Sequence, residues 1–173
     1  MNVNVLNPFI DAAVEVLRAE VGVKANRGNL DLQKSALTTD DITVLIHLVG
    51  EVYGVVLLGM PASTALNMVS SILGQDLTEF DSLAQSGVAE LGNVITGSAT
   101  IKLSLAGYQS NISPPAIITG KGVQISTLDF PRIVVPLSTK LGNLMIHLAV
   151  REKLRGENAR VEDFVQLTIP QGS

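Results

Sequence analysis

The 173-residue chain contains no cysteine and no tryptophan, and only 3% of its residues are aromatic. Without cysteine there is no disulfide framework, no thiolate metal site and no thiol nucleophile, which favours a reducing compartment. Charge is sparse too, at 16% of residues with a net of −4. Lysine and arginine are scattered singly, with almost no aromatic side chains to interleave, so nucleic acid is not expected as a partner. No apolar run approaches the roughly 20 residues that cross a bilayer, and residues 1–21 lack the basic start and unbroken apolar stretch of a signal peptide. The expectation is a soluble, cytoplasmic protein with no membrane partner. What is abundant is aliphatic: 46% of the residues are hydrophobic. That suffices for one sizeable core of Val, Leu, Ile and Ala.

From Asn7 the pattern predicts an amphipathic helix, with Asn7 as N-cap, Pro8 at the first helical position and Gly22 as stop. Its apolar stripe is Ile10, Val14, Leu17 and Val21. Segment 23–37 reads as weakly extended. Ile42 to Val49 and Val52 to Met60, broken at Gly50-Glu51, read as a β-hairpin at the centre of a sheet. A second helix is predicted from Ser63 to Leu73, with Leu66, Val69, Ile72 and Leu73 facing inward and Gly74 past its end. The longest helix is predicted from Asp81 to Ala106, closed by Gly107. Alternating runs at 123–127, 133–137 and 144–150 then predict strands, the last two joined by a turn near Gly142.

Helix, extended runs and helix, followed by helix and extended runs, suggests one unit written twice. Gly22-x-x-x-Asn26 and Gly107-x-x-x-Asn111 mark corresponding points. The expected fold is α+β in two layers, with long helices on one face of an antiparallel sheet and a pseudo-twofold internal repeat. Residues 1–152 would form a single domain. Residues 153–173, with a late Phe164-Val165-Gln166-Leu167 run, would form a C-terminal extension to which the sequence assigns no role.

The 81–106 helix carries the most informative pattern. Ser86, Glu90, Asn93 and Gly97 fall at i, i+4, i+7 and i+11, within about 60° of the helix circumference. Ala84, Val88, Leu91, Ile95 and Ala99 lie opposite. A solvated face alone would account for Glu90. It does not account for Asn93, a poor mid-helix residue because its side chain competes for backbone hydrogen bonds, set beside Gly92 and before the β-branched Val94, Ile95 and Thr96. Gly87, Gly92 and Gly97 each cost about 1 kcal/mol in a helix interior. Such local inconsistency is expected where function or close packing overrides propensity.

The run Ser86-Gly-Val-Ala-Glu90-Leu-Gly-Asn93, with Gly97 and the later Pro115, resembles the Asp/Ser-x-x-x-Glu-x-x-Asn signature of the CheC/CheX/FliY phosphatases of bacterial chemotaxis. Asn7-Pro8-Phe9-Ile10, the segment from Gly50 to Pro61 and Thr119-Gly120-Lys121-Gly122 are similar to the CheX branch in particular. The resemblance implies a CheC-like fold and a phosphatase acting on the aspartyl phosphate of a CheY-like response regulator. Glu90 and Asn93 would be catalytic, Asn93 orienting the attacking water and Glu90 pairing with a lysine of the receiver. Ser86, Gly97 and Pro115 would contact the partner. No cofactor of the chain's own is implied, since the Mg²⁺ would be held by the receiver. Because the first half aligns Asn7 with Asn93 and Asn4 with Glu90, it lacks the acidic member, and one active site per chain is expected. The resemblance also implies a homodimer formed by sheet extension, for which the aliphatic strand 144–150 is the candidate edge. The alternative is a non-catalytic receiver-binding adaptor or flagellar-switch-like module.

Two further motifs carry less. His47 and His147 sit in strand patterns without ligand spacing and read as partly exposed strand residues. Thr119-Gly120-Lys121-Gly122 lacks P-loop spacing and a following helix, and reads as a turn.

Overall fold

The computed structural model describes residues 2–127, 130–158, 160 and 165–171. Three helices, α1 (Val3–Val16), α2 (Ala62–Leu73) and α3 (Ser82–Leu105), pack on one face of a large antiparallel sheet. Strands follow in the order β1 (Asn26–Arg27), β2 (Asp31–Gln33), β3 (Leu37–Thr38), β4 (Ile42–Gly50), β5 (Val52–Met60), β6 (Ser110–Ile112), β7 (Ala116–Thr119), β8 (Gln124–Ser126), β9 (Arg132–Thr139), β10 (Gly142–Glu152) and β11 (Gln166–Thr168). The predicted hairpin is β4–β5. Along both strands, alternate side chains enter the helix-side core, Val44, Ile46 and Leu48 from one and Val56, Leu58 and Met60 from the other.

The main sheet has the order β1-β9-β10-β5-β4-β6, with β2 also on β9 and β7 also on β4. Its middle is the β5–β10 pair, with Val56 opposite Leu148. The order reads the same from either end once the halves are exchanged: β1/β2 corresponds to β6/β7, β9 to β4, and β10 to β5. Each half's first strands therefore pair with the other half's sheet. Even the irregularities match. From Arg27 to Asp31 is four steps against three on β9 (Leu137 to Val134), and from Ile112 to Ala116 is four against three on β4 (Leu48 to Leu45). Each edge thus carries a one-residue bulge, the second at Pro114-Pro115, where missing donors are harmless because the strand has no outer neighbour.

Several expectations need correction. The first helix starts at Val3, not Asn7: Asn2 is the N-cap, its Oδ1 accepting from the Asn4 N–H at 3.0 Å, and Pro8 lies inside the helix. The extra turn buries Val5 and Leu6, and that burial outweighs the hydrogen bond Pro8 cannot donate. The helix ends in a wide π-type turn, Leu17–Val21, closed by Gly22 at φ 77°. In α2 the inward face is Thr64, Ala65, Met68 and Val69, while Leu73 is exposed. Strand 144–150 lies within β10, hydrogen-bonded on both sides by β5 and β9, so it is not an edge available for a dimer. The edges are β1/β2 and β6/β7.

The other face of the main sheet carries a part-layer that the sequence pattern did not anticipate, a small sheet of β11-β8-β3. Beneath it Leu45, Val55, Leu57 and Ala149 form a second core cluster with Ile125. The extension thus returns to the domain as β11, and its start is pinned where the Glu157 carboxylate accepts from Tyr53 Oη and Arg151, with Arg151 stacked on Tyr53 and Phe130. Phe164, in the late apolar run, lies outside the described residues.

Candidate active site

Helix α3 is held from its first turn. Asp81 caps it, its Oδ1 accepting from the Ala84 N–H at 3.0 Å. Its apolar stripe, Ala84, Val88, Leu91, Ile95, Ala99 and Leu103, is buried, each residue at 3% exposure or less. The helix packs against α1, α2, β4 and β6, and Lys102 Nζ meets Glu15 of α1 at 2.8 Å. Two threonines return their hydroxyls to the helix's own carbonyls, Thr96 to Gly92 at 2.9 Å and Thr100 to Gly97 at 2.7 Å. A β-branched polar residue is thereby accommodated inside a helix.

With the apolar stripe fixed on the sheet, the opposite face is turned outward. Ser86 and Glu90 are exposed, and Asn93 and Gly97 are half-buried. The structure thus brings these four expected residues onto one surface of one rigid element. Neither Glu90 nor Asn93 has a side-chain hydrogen bond or ion pair among the described residues. A carboxylate and a carboxamide one turn apart, both unengaged and carried on a well-packed helix, can accept from and donate to groups that another molecule presents. Pro115 is half-buried at the β6–β7 bulge, on the sheet edge next to β4.

The three helix glycines separate into two kinds. A Cβ on Gly87 would stand 2.5 Å from Val69 Cγ1 of α2, and one on Gly92 2.9 Å from Val44 Cγ1 of β4. Close packing requires both. A Cβ on Gly97 would meet only Ile112 Cδ1 at an ordinary 3.9 Å. Packing does not require glycine there.

Beside Ser86 and Glu90 runs a groove of about 290 Å³ lined by Ile72, Leu73, Leu83, Leu91 and Val94, with Glu20 of the π-type turn also on its wall. Sequence reasoning missed it. Leu73 was expected on the inward face of its helix and Leu83 lies off the apolar stripe of α3, and both prove to be exposed.

The remaining motifs are structural. Thr119-Gly120-Lys121-Gly122 is a turn tied to the start of β4: Gly120 N–H donates to the Asp41 carbonyl at 2.7 Å, and Lys121 lies 3.5 Å from the Asp41 carboxylate. The Ala62 N–H at the start of α2 donates to Asp41 Oδ2 at 3.0 Å and, with Lys121, holds this carboxyl below its ordinary value. His47 is half-buried, whereas His147 is buried at 6% exposure, contrary to the expectation of a partly exposed residue. Arg132 takes up its Nδ1. Among the described residues no three His, Asp or Glu side chains are grouped to hold a metal ion, and no helix is long and apolar enough to cross a membrane.

Paired long helices over an antiparallel sheet of two interlocked halves, with Glu and Asn on one outward helix face, define a CheC-like architecture. The chain belongs to the chemotaxis phosphatase CheX family, whose pattern it matches over residues 42–138. It is 26% identical over 128 residues to the CheY-P phosphatase CheX of Thermotoga maritima, covering 73% of this chain and 83% of that one. A CheC-like superfamily protein from Shewanella sp. PV-4 superposes with a TM-score of 0.80 at 29% identity, over 87% of this chain and 99% of the other. The CheX of the CheX–CheY–BeF₃–Mg²⁺ complex from Borrelia burgdorferi superposes with a TM-score of 0.65 at 28% identity, over 85% and 97%.

Proposed function

We propose that this protein dephosphorylates the aspartyl phosphate of a CheY-type response regulator, with Asn93 and Glu90 entering the regulator's active site. An aspartyl phosphate is an activated acyl phosphate. Its hydrolysis asks for an in-line water, a cation on the phosphoryl oxygens and accurate positioning, and for little else. A carboxamide suits the positioning role, because it hydrogen-bonds water without repelling the phosphoryl group. Asn93 therefore orients the nucleophile, and Glu90, one turn earlier, pairs with a receiver lysine and holds the pose. Ser86 and Gly97 extend the contact along α3, Gly97 offering a surface with no side chain where a partner backbone can approach. Pro115 contacts the partner from the sheet edge. The cation belongs to the receiver.

The observation that carries this reading is the pair of unengaged side chains, Glu90 and Asn93, on the outward face of a helix whose other face is locked to the core. The likeness to the CheY-P phosphatase CheX of Thermotoga maritima and to the CheX–CheY–BeF₃–Mg²⁺ complex from Borrelia burgdorferi supports it. The test follows loss of phosphate from the phosphorylated regulator. Wild-type protein accelerates decay, and Asn93→Ala abolishes the acceleration with its fold intact. Retention of more than about a tenth of the activity would reveal a second site in the chain. Decay unchanged by the wild-type protein would leave a receiver-binding module instead.

A further inference from the structure

On the sheet face away from the helices, Arg132 at the start of β9 is fully buried. Among the described residues its three hydrogen bonds go to neutral acceptors: Nε to His147 Nδ1 at 3.3 Å, Nη1 to the Ser35 carbonyl at 2.8 Å, and Nη2 to Gln33 Oε1 at 2.8 Å. Among the described residues no carboxylate neutralises it. A buried guanidinium lacking an anion is costly to fold, because lost hydration is not repaid by a counter-charge.

The guanidinium can only donate, so His147 Nδ1 must accept and the imidazole proton sits on Nε2. That nitrogen has no partner among the described residues and stands over Gly59, where a Cβ would come within 3.9 Å of it. The space above Gly59 is a cavity of about 320 Å³. Thr43 lines the same cavity; it is fully buried, and its Oγ1 has no hydrogen-bond partner. A hydroxyl left in that condition is a net cost to folding. The cavity thus holds two unused donors, His147 Nε2–H and Thr43 Oγ1–H, with a buried positive charge behind the first. Val134 and Met145 supply apolar wall, and the exposed Asp40 carboxylate lies at the mouth.

We propose that this cavity binds a small organic monocarboxylate, its oxygens accepting from His147 Nε2–H and Thr43 Oγ1–H and its short carbon chain lying on Val134 and Met145. The ligand's charge offsets that of Arg132 across the imidazole. Asp40 disfavours a second negative charge, which selects monocarboxylates over phosphate dianions and dicarboxylates. The site lies on the sheet face opposite α3 and is independent of the phosphatase reading.

Isotope-labelled full-length protein at pH 7 and constant ionic strength is titrated with acetate, propionate, butyrate, inorganic phosphate and chloride, following the His147 imidazole and the Thr43 and Gly59 amides by NMR. The expected result is saturable shifts at these three residues with the monocarboxylates. Affinity falls about tenfold or more in Thr43→Val, a near-isosteric change that removes only an unpaired hydroxyl and leaves the protein folded. Absence of saturable shifts up to about 20 mM carboxylate would overturn the site, since binding weaker than that is below about 2–3 kcal/mol. Equal response to phosphate or chloride would overturn its carboxylate selectivity, and unchanged affinity in Thr43→Val would overturn the assigned contacts.

Discussion

His147 combines a buried ring with a guanidinium on one nitrogen, and both effects disfavour its protonation. Burial first and the Arg132 charge second push its pKa down from 6.5 to about 4. Between those values the unfolded chain binds a proton that the folded chain refuses, so stability is full above about pH 6.5 and is lost as pH falls toward 4. The gap corresponds to about 3 kcal/mol. Urea unfolding at pH 7.5 and pH 4.5 should show a loss of that order in wild type. In His147→Gln, whose side-chain oxygen can still accept from Arg132, the loss should be clearly smaller. What remains in the variant comes from His47, which burial shifts in the same direction, and from carboxyls such as Asp41 held below their ordinary values. Asn93 is the opposite case, a polar residue whose environment asks nothing of it. Its oddity was legible in the sequence because helix propensity is a local property. The burial of His147 was not legible, because it depends on Arg132 and on segment 33–40 folding over the sheet.

Between elements, the α2–α3 contact turns on Gly87. A methyl group there would collide with Val69, a side chain stiff at χ1 on a helix that is itself packed. The gain in helix propensity of about 1 kcal/mol is outweighed by overpacking of about 1–3 kcal/mol. Gly87→Ala should therefore lower the denaturation midpoint, and adding Val69→Ala should recover much of the loss. Gly97→Ala, with ordinary space around it, should leave the midpoint unchanged or raise it. The long, strongly patterned elements, α3 and the β4–β5 hairpin, were legible from periodicity, and with them the outward face that carries Glu90 and Asn93. The start of α1 was not, since Asn7-Pro8 imitates a cap and a first turn while Val5 and Leu6, buried against the core, extend the helix past it. Strands β6 and β7 went unread because each is three or four residues long and two prolines separate them. Of the small sheet of β3, β8 and β11, the alternation at 123–127 marked β8, but β3 and β11 escaped for a related reason: segments of two or three residues have no period, and they pair with β8 from distant parts of the sequence.

At the scale of the molecule, the doubled unit hinted at by Gly22-x-x-x-Asn26 and Gly107-x-x-x-Asn111 became visible in the strand order and in the paired edge bulges. The sequence indicated that there are two halves but not that they exchange edges. Because β1 and β2 belong to the sheet of β9, and β6 and β7 to that of β4, neither half owns a finished sheet. A chain cut in the loop between α2 and α3 should give fragments 1–75 and 76–173 that are each unfolded or aggregated alone. Mixed, they should recover the dispersed NMR spectrum of the intact protein. The same geometry bears on ancestry. A single ancestral unit would have left one strand edge open on its hairpin and offered the strands needed to close another copy's, so two identical copies could have completed each other as a symmetric pair before any gene fusion joined them. In the present chain that symmetry is broken at Glu90, which has Asn4 as its counterpart. Of the two corresponding helix faces in the chain, one presents the acid.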